Sequence, residues 1–258
     1  MKFLGPLITA ALLICPVAAR ADDAASPPGP PADSLISGGL FSAITLASDY
    51  RYEGVSESKG HPVVQAYLHW WRPDGFYVGV FATKVDFGYA SAPTYEIDTY
   101  GGRNFEFDRG RTELKLEGMY TAFPDNHTPG PTFDFFQGKV QVKHTHGPWT
   151  TIGLVAYVPA SSYGSGPVLR EEGELDYAVS KALSLTALLG HQGEGIGHER
   201  TYWSVGVQVP WKTLTFALRY LDADRTRQNC GFQPKACDAA IVGSMTVSLP
   251  PIMAGGRG

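Results

Sequence analysis

Residue types that carry covalent or metal chemistry are scarce in this sequence. Its 258 residues include three cysteines, and they contain neither a P-loop nor a G-x-S-x-G motif. Lys and Arg form no cluster, and the formal net charge of -4 is mild, which argues against a nucleic-acid partner. We therefore expect neither an enzyme nor a cofactor-binding protein.

Sustained helical periodicity is also missing after the N-terminal region. In its place the chain has 13 Tyr, 13 Phe, 5 Trp and 30 Gly. Aromatic residues favour strands, and glycine favours the turns between them. The composition therefore predicts an all-β protein.

Residues 1–21 have the features of an export signal peptide. Lys2 precedes an apolar run over residues 3–18, and Ala-Arg-Ala at residues 19–21 provides small side chains for cleavage. A membrane anchor is the alternative, but the run is shorter than the ~20 apolar residues of a spanning helix and is interrupted by proline. Residues 22–37 are rich in proline and small residues, so we expect a disordered leader there.

Two cysteines follow this signal, Cys230 and Cys237, with six residues between them. Because an exported protein meets an oxidising compartment, we predict that they form a disulfide. A metal-binding pair is the alternative, but no His or further Cys lies nearby in the sequence. Residues 190–199 also mix His and Glu, yet their four glycines favour a mobile loop over a metal site.

Residues 40–59 begin with a strand that has two chemically different faces. Alternate residues from Leu40 to Tyr52 are apolar, small or aromatic, whereas the opposite face ends in Asp49, Arg51 and Glu53. Period-two alternation of this length predicts a strand. We expect this first strand to run to Glu53 and to be followed by a polar loop.

The same alternation recurs along the chain and predicts about twelve strands over residues 38–249. Five short turns alternate with six longer loops, the turns lying near residues 72–75, 108–110, 146–148, 180–182 and 210–212. Twelve strands joined in this way place both chain termini on the short-turn side of the barrel, as in bacterial outer-membrane barrels. The predicted fold is a closed, up-and-down antiparallel transmembrane β-barrel.

The two faces of the predicted strands differ in charge. One face is almost free of charge, whereas the other carries nine acidic and six basic residues. They are Asp49, Glu53, Glu96, Asp98, Glu113, Glu117, Glu172, Glu174, Asp176, Arg51, Arg111, Lys115, Lys139, Lys143 and Arg219. Unpaired charges are costly in a dry core, so this face must be wet or densely paired. We therefore predict that these residues line a lumen and that the apolar face meets lipid.

The predicted outer face combines apolar side chains with aromatic residues near strand ends. In the seventh strand we expect Ile152, Leu154, Ala156 and Val158 to point outward. The aromatic residues are Tyr50, Tyr52, Trp70, Tyr95, Tyr120, Trp149, Trp203, Trp211 and Tyr220. Aromatic girdles of this kind lie at membrane interfaces. A soluble barrel would have its apolar side chains inside, and the girdle favours the membrane alternative.

Four segments carry a family resemblance. Residues 48–58 read Ser-Asp-Tyr-Arg-Tyr-Glu-Gly-Val-Ser-Glu-Ser, and residues 75–82 read Gly-Phe-Tyr-Val-Gly-Val-Phe-Ala. Glu96, Asp98, Tyr100 and Gly102 alternate farther on, and the cysteine pair with Asp238 precedes the last strand. In these segments the chain resembles the TorF-type porin family of proteobacteria. The resemblance implies an outer-membrane location and a pore, and it carries no catalytic residues.

The C-terminal end departs from outer-membrane barrels, which tend to finish on an aromatic residue. Here Leu249 is followed by residues 250–258, which include two prolines and three glycines. We expect the last strand to end at Leu249 and a short tail to follow it.

Together these patterns predict an outer-membrane channel for the passive diffusion of small solutes or ions. It would contact outer-membrane lipid and depend on the barrel-assembly machinery for insertion. The excess of acids over bases inside predicts a weak preference for cations. Two alternatives remain, a structural barrel plugged by its own inward charges and a soluble periplasmic barrel that binds an apolar ligand.

Overall fold

Hydrogen bonds between the first and the last barrel strand close a twelve-stranded antiparallel barrel, which confirms the predicted fold class. The computed structural model describes residues 38–130, 132–160, 166–194, 199–225, 230 and 234–253. The barrel strands are β1 (Gly39–Ala47), β4 (Val63–Trp71), β5 (Phe76–Lys84), β6 (Tyr95–Phe107), β7 (Thr112–Ala122), β8 (Phe135–His146), β9 (Trp149–Val158), β10 (Val168–Ser180), β11 (Leu183–Glu194), β12 (Arg200–Trp211), β13 (Leu214–Ala223) and β14 (Ala240–Met253). Two short strands, β2 (Arg51–Tyr52) and β3 (Val55–Ser56), pair only with each other. Over these ranges, no helix is long and apolar enough to cross a membrane.

Tight turns join the strands at the end of the barrel where β1 begins and β14 finishes, and longer connections lie at the other end. In the turn after β4, the Gly75 amide donates to the Arg72 carbonyl oxygen at 3.0 Å. Gly75 has a φ of 88°, and a Cβ there would lie 2.2 Å from the Asn104 carbonyl oxygen. Only glycine fits this position. The predicted alternation of short turns and long loops is present in the structure.

Side chains alternate between the inside and the outside of the barrel. On β4, Gln65 and His69 are buried inside, whereas Val64 and Leu68 are exposed outside. The same alternation holds on the other strands, and most of the exposed outward side chains are large and apolar. Exposed apolar surface of this extent is rare on soluble monomeric proteins.

The orientation predicted for the seventh strand, β9, is wrong. Leu154, Ala156 and Val158 are buried inside the barrel, and Val155 and Tyr157 are exposed outside. The cause is the pairing with β10, because residues directly opposite each other in a sheet share a face. Leu154 lies opposite the inward Glu172, and Ala156 lies opposite the inward Arg170. The charges of β10 therefore fix the face of β9, which is apolar on both sides.

Aromatic side chains fill part of the barrel interior. Inward residues of β1 and β4 to β7 form a buried apolar cluster in which Tyr67 packs on Phe81 with ring centroids 4.8 Å apart. The His69 ring stacks on Tyr77 in the same cluster at 5.0 Å. The sequence pattern alone had indicated a uniformly charged interior. The structure shows that the interior is partly apolar.

The last strand continues beyond the predicted end at Leu249. β14 runs to Met253, and Leu40 of β1 pairs with Ile252 across a register shift next to the two prolines. Residues 250–253 therefore belong to the barrel wall. The predicted signal peptide and leader, residues 1–37, and the remainder of the predicted tail, residues 254–258, lie outside the described residues.

Candidate functional site in the barrel interior

The connection between β1 and β4 folds into the barrel. β1 ends at Ala47, and residues 48–62, here called the inner loop, contain the short hairpin of β2 and β3. Because β1 ends at Ala47, the prediction that the first strand continues to Glu53 is wrong. Asp49, Arg51 and Glu53 belong to the inner loop and are buried there. Glu53 and Gly54 have φ values of 52° and 78°, which turn the chain back at the tip of the hairpin.

Asp49 organises the inner loop through charge-assisted hydrogen bonds. Its carboxylate accepts from the Ser56 hydroxyl at 2.6 Å, from the Ser58 hydroxyl at 2.8 Å and from Arg51 Nε at 2.8 Å. The Arg51 guanidinium also donates to the Gly54 carbonyl oxygen at 2.7 Å. Hydrogen bonds to a carboxylate are stronger than those between neutral groups, so this network holds the loop in one shape.

Glu53 at the hairpin tip connects the inner loop to the opposite wall of the barrel. The Arg170 guanidinium on β10 donates to Glu53 Oε1 at 3.1 Å, and Arg200 on β12 contacts Oε2. The Gln192 amide on β11 lies beside the same carboxylate. Glu53 is 2% exposed, so three neighbouring strands surround one buried carboxylate.

The sequence prediction did not include Arg170 or Arg200, although both lie inside the barrel. Arg170 is in step with the predicted inward residues Glu172, Glu174 and Asp176 of β10. Extending the alternation by one step toward the loop would have identified it. Arg200, at the start of β12, is in step with the inward Tyr202 in the same way.

A second charged group lies on β7 and β8. The Glu117 carboxylate accepts from Tyr77 Oη at 2.9 Å and pairs with Lys115 Nζ at 3.1 Å and with Lys139 Nζ at 3.3 Å. The side chains of Glu117, Tyr77 and Lys139 are buried, and that of Lys115 is 15% exposed. A buried carboxylate with two ammonium groups and a hydroxyl is densely paired, which makes its burial tolerable.

The other predicted lumen residues divide between the interior and the barrel ends. Glu113 and Lys143 form a more exposed pair, with 3.9 Å between their charged atoms. Arg219 on β13 is 1% exposed and donates to the Ser204 hydroxyl at 3.5 Å. Arg111, by contrast, lies in the turn before β7 and is exposed.

β10 and β6 carry the remaining predicted acids. On β10, Glu172 accepts from Tyr202 Oη at 2.5 Å, Glu174 is buried and Asp176 is half-buried. Glu96 and Asp98 on β6 are also buried, and Tyr50 Oη of the inner loop donates to Glu96 at 2.9 Å. Tyr52 of the same loop accepts from Arg170 at 2.9 Å, so both tyrosines lie inside the barrel and their predicted place in the outer aromatic girdle is wrong. Tyrosine hydroxyls thus contact several of these carboxylates, a contribution that the sequence pattern did not predict.

The predicted disulfide is present. Cys230 and Cys237 are bonded and close a small loop ahead of β14. Within the part of the chain that the structure describes, no three His, Cys, Asp or Glu side chains are grouped to hold a metal ion. His191 contacts Glu199 at 3.4 Å, and the residues between 194 and 199 lie outside the described ranges.

A closed twelve-stranded barrel with buried charges inside and apolar side chains outside has the architecture of porins. The structure is similar to that of the KdgM porin, with a TM-score of 0.54 and 7% identity over 82% of this chain and 99% of KdgM. It is also similar to the NanC porin, with a TM-score of 0.56 and 9% identity over 81% of this chain and 99% of NanC. At these identities the similarity shows the fold alone.

The family is shown by the sequence. Residues 35–249 match the family described as bacterial protein of unknown function (Gcw_chp), and the chain belongs to this family. The comparison with curated proteins found no match.

Proposed function

We propose that this protein is an outer-membrane channel through which small solutes or ions diffuse passively. The observation that carries the proposal is the separation of surfaces, with large apolar side chains exposed outside and paired charges inside. Lipid is the environment in which such an outer face is stable. The predicted export signal and the resemblance to the TorF-type porins support the same location, the outer membrane of a Gram-negative bacterium.

The inner loop sets the properties of the pathway in this proposal. It crosses the interior and is held at its tip by Arg170 and Arg200, so solutes must pass beside it. Acidic residues remain more numerous than basic ones around the pathway, which favours cations weakly.

Planar-bilayer conductance of the refolded full-length protein tests the proposal. We expect single-channel steps with a modest cation preference in a salt gradient. Strong anion selectivity would overturn the assignment of the charged interior as the pathway. Fractionation of cells and heat-modifiable gel migration test the location independently, and recovery in the soluble periplasmic fraction would overturn it.

A plugged structural barrel is the second candidate, and a specific observation favours it. Phe81, Met119 and Tyr100 are almost fully buried inside the barrel, and the inner loop packs beside them. Side chains fill the interiors of small barrels in this way. A barrel that inserts in membranes but conducts only when the inner loop is released would identify this function.

A further inference from the structure

Arg103 places a positive charge on the outer face of β6, where most exposed side chains are apolar. It is in step with Tyr95, which is exposed on the outside of the same strand. It lies directly opposite Phe76 on β5 and Leu116 on β7, and both of these are also exposed on the outside. Because residues directly opposite each other share a face, Arg103 points away from the barrel interior.

Arg103 lies near the short-turn end of the barrel. Its partner Phe76 is the first residue of β5, and the next amide along β6, that of Asn104, donates to the Gly75 carbonyl oxygen at 2.9 Å. Arg103 is therefore level with the turn between β4 and β5. In the membrane location of the proposed function, this level is close to the lipid headgroups. A charge on the lipid face costs least there, and a long arginine side chain extends toward the interface.

Two phenylalanine rings hold the guanidinium in place. The Arg103 Cζ atom lies 4.8 Å from the centroid of the Phe76 ring and 4.9 Å from that of the Phe105 ring. Both are cation–π contacts, which attract the charge to the ring faces. The Nε atom is buried between its neighbours without a hydrogen-bond partner. The position of the charge is therefore fixed on an apolar, aromatic surface.

No acidic side chain in the described part of the chain forms an ion pair or a hydrogen bond with Arg103. The arginine in the adjacent turn, Arg72, differs, because its guanidinium pairs with Asp74 at 2.9 Å. A guanidinium presents several N–H donors in a fixed plane and binds phosphate through two parallel hydrogen bonds. Arg103 therefore retains donors for an anion from outside the chain.

The turns at the same end of the barrel carry an excess of positive charge. The five turns contain two acidic residues, Asp74 and Asp108, and five basic residues, all of them exposed. The basic residues are Arg72, Arg109, Arg111, Lys181 and Lys212. Such a distribution attracts anions to this end of the barrel, and basic residues at a membrane surface attract anionic lipids.

We propose that Arg103 binds the phosphate of an anionic phospholipid whose acyl chains lie along Phe76, Phe105 and Leu116. The proposal rests on the membrane location in the proposed function, since lipid reaches this face only in a membrane. A free phosphate ion would use the guanidinium and leave the apolar neighbours without a partner. A neutral lipid would use the apolar neighbours and leave the guanidinium without an anion. An anionic phospholipid uses both.

Native mass spectrometry of the delipidated full-length protein in detergent tests this proposal. The two probes are dioleoylphosphatidylglycerol and dioleoylglycerol, which has the same acyl chains and no phosphate. We expect the phospholipid to bind at least about tenfold more tightly, because only it offers an acceptor for the guanidinium.

Arg103→Gln should weaken binding of the phospholipid about tenfold, and Arg103→Lys should recover part of this loss, since an ammonium group keeps the charge but lacks the planar fork. Lys181→Gln is the matched control, because it removes one exposed positive charge from the turn between β10 and β11 at the same end. We expect this control to bind the phospholipid as the unmodified protein does.

Equal binding of the two lipids would overturn the proposal, as would unchanged phospholipid binding in Arg103→Gln with heat-modifiable migration intact. An equal loss in Lys181→Gln would show that binding follows the total charge of this end and not Arg103. Displacement of the phospholipid by inorganic phosphate at equal concentration would assign Arg103 to free anions instead.

Lipid binding requires no conductance, so the site and the channel function fail separately. A conducting barrel that does not distinguish the two lipids refutes only the lipid site. A barrel that binds the phospholipid through Arg103 without conducting refutes only the channel.

Discussion

Glu53 and Arg200 are 147 positions apart in the sequence and form an ion pair inside the barrel. Arg170 binds the other oxygen of the same carboxylate, so one acid of the inner loop joins two strands of the far wall. The pair explains how a loop that leaves β1 remains inside the barrel. It also identifies the contact through which the loop is released or held.

Glu53→Gln should destabilise the barrel and increase its conductance. The amide keeps the size of the side chain but leaves two buried guanidinium groups without their carboxylate, which costs roughly 3–5 kcal/mol. We expect a lower thermal unfolding midpoint and larger or more frequent conductance steps. Thermal unfolding in detergent and planar-bilayer recording measure the two effects.

The double variant Glu53→Gln with Arg200→Met serves as the control for this prediction. Removing one of the unpaired cations should recover part of the lost stability while the loop remains released. If Glu53→Gln leaves both stability and conductance unchanged, the ion pair does not hold the loop.

Two carboxylates on β7 allow a matched comparison of buried and exposed pairing. Glu117→Gln leaves Lys115 and Lys139 without an acid in the interior and should cost about 3 kcal/mol. Glu113→Gln removes a longer and more exposed pair with Lys143 and should cost no more than about 1 kcal/mol. Urea unfolding midpoints in the same detergent measure both. Equal losses would show that burial does not determine the strength of these pairs.

The sequence was sufficient to predict the barrel because a charged side chain on the apolar outer face would cost much free energy. Most charged residues therefore lie on one face of each strand, and the alternation can be seen in the sequence. Where charges alternate, as in Glu113, Lys115 and Glu117 of β7, the pattern itself distinguishes the two faces of the strand. Where both faces are apolar, as in β9, hydrophobicity alone does not choose between them. There the neighbouring charges of β10 decide, and they act through cross-strand pairing that a strand-by-strand reading omits.

The inner loop shows a different limit of sequence reasoning. The alternation of Asp49, Arg51 and Glu53 continues the pattern of β1, although the chain leaves the wall at Ala47. Their charges suit an inward position in either arrangement, so periodicity does not distinguish wall from loop. The partners of Glu53 lie on β10 and β12, and contacts at such sequence separation leave no local signal.

The Cys230–Cys237 disulfide should stabilise the segment ahead of β14. For a loop of this length, the chain-entropy estimate is about 2 kcal/mol. We expect Cys230→Ser combined with Cys237→Ser to lower the thermal unfolding midpoint, and reducing agent to lower that of the unmodified protein similarly. The double variant itself should not respond to reducing agent. A response in the double variant would show that the reductant acts elsewhere.

Glu57 should make the stability of the barrel depend on pH. Its pKa is raised from 4.5 to about 7 because burial disfavours the charged carboxylate, with Glu53 and Asp49 on the same loop adding to the effect and Arg200 on β12 opposing it. Glu96 on β6 faces the same group and is also acidic. Between pH 4.5 and about pH 7, Glu57 keeps its proton in the folded protein but has released it in the unfolded chain. The stability of the barrel therefore falls as pH rises through this window.

Replacement of Glu57 by Gln should remove this dependence. The Glu57→Gln variant should match the unmodified protein near pH 4 and exceed it above pH 7, by at most about 3 kcal/mol. Thermal unfolding from pH 4 to pH 8 measures the difference, and Glu171→Gln on the exposed outer face of β10 gives the matched control variant. A difference that stays constant over this range would contradict a raised pKa at Glu57. If Glu57→Gln instead becomes less stable than the unmodified protein as pH rises, Arg200 stabilises the ionised Glu57 carboxylate more than burial disfavours it.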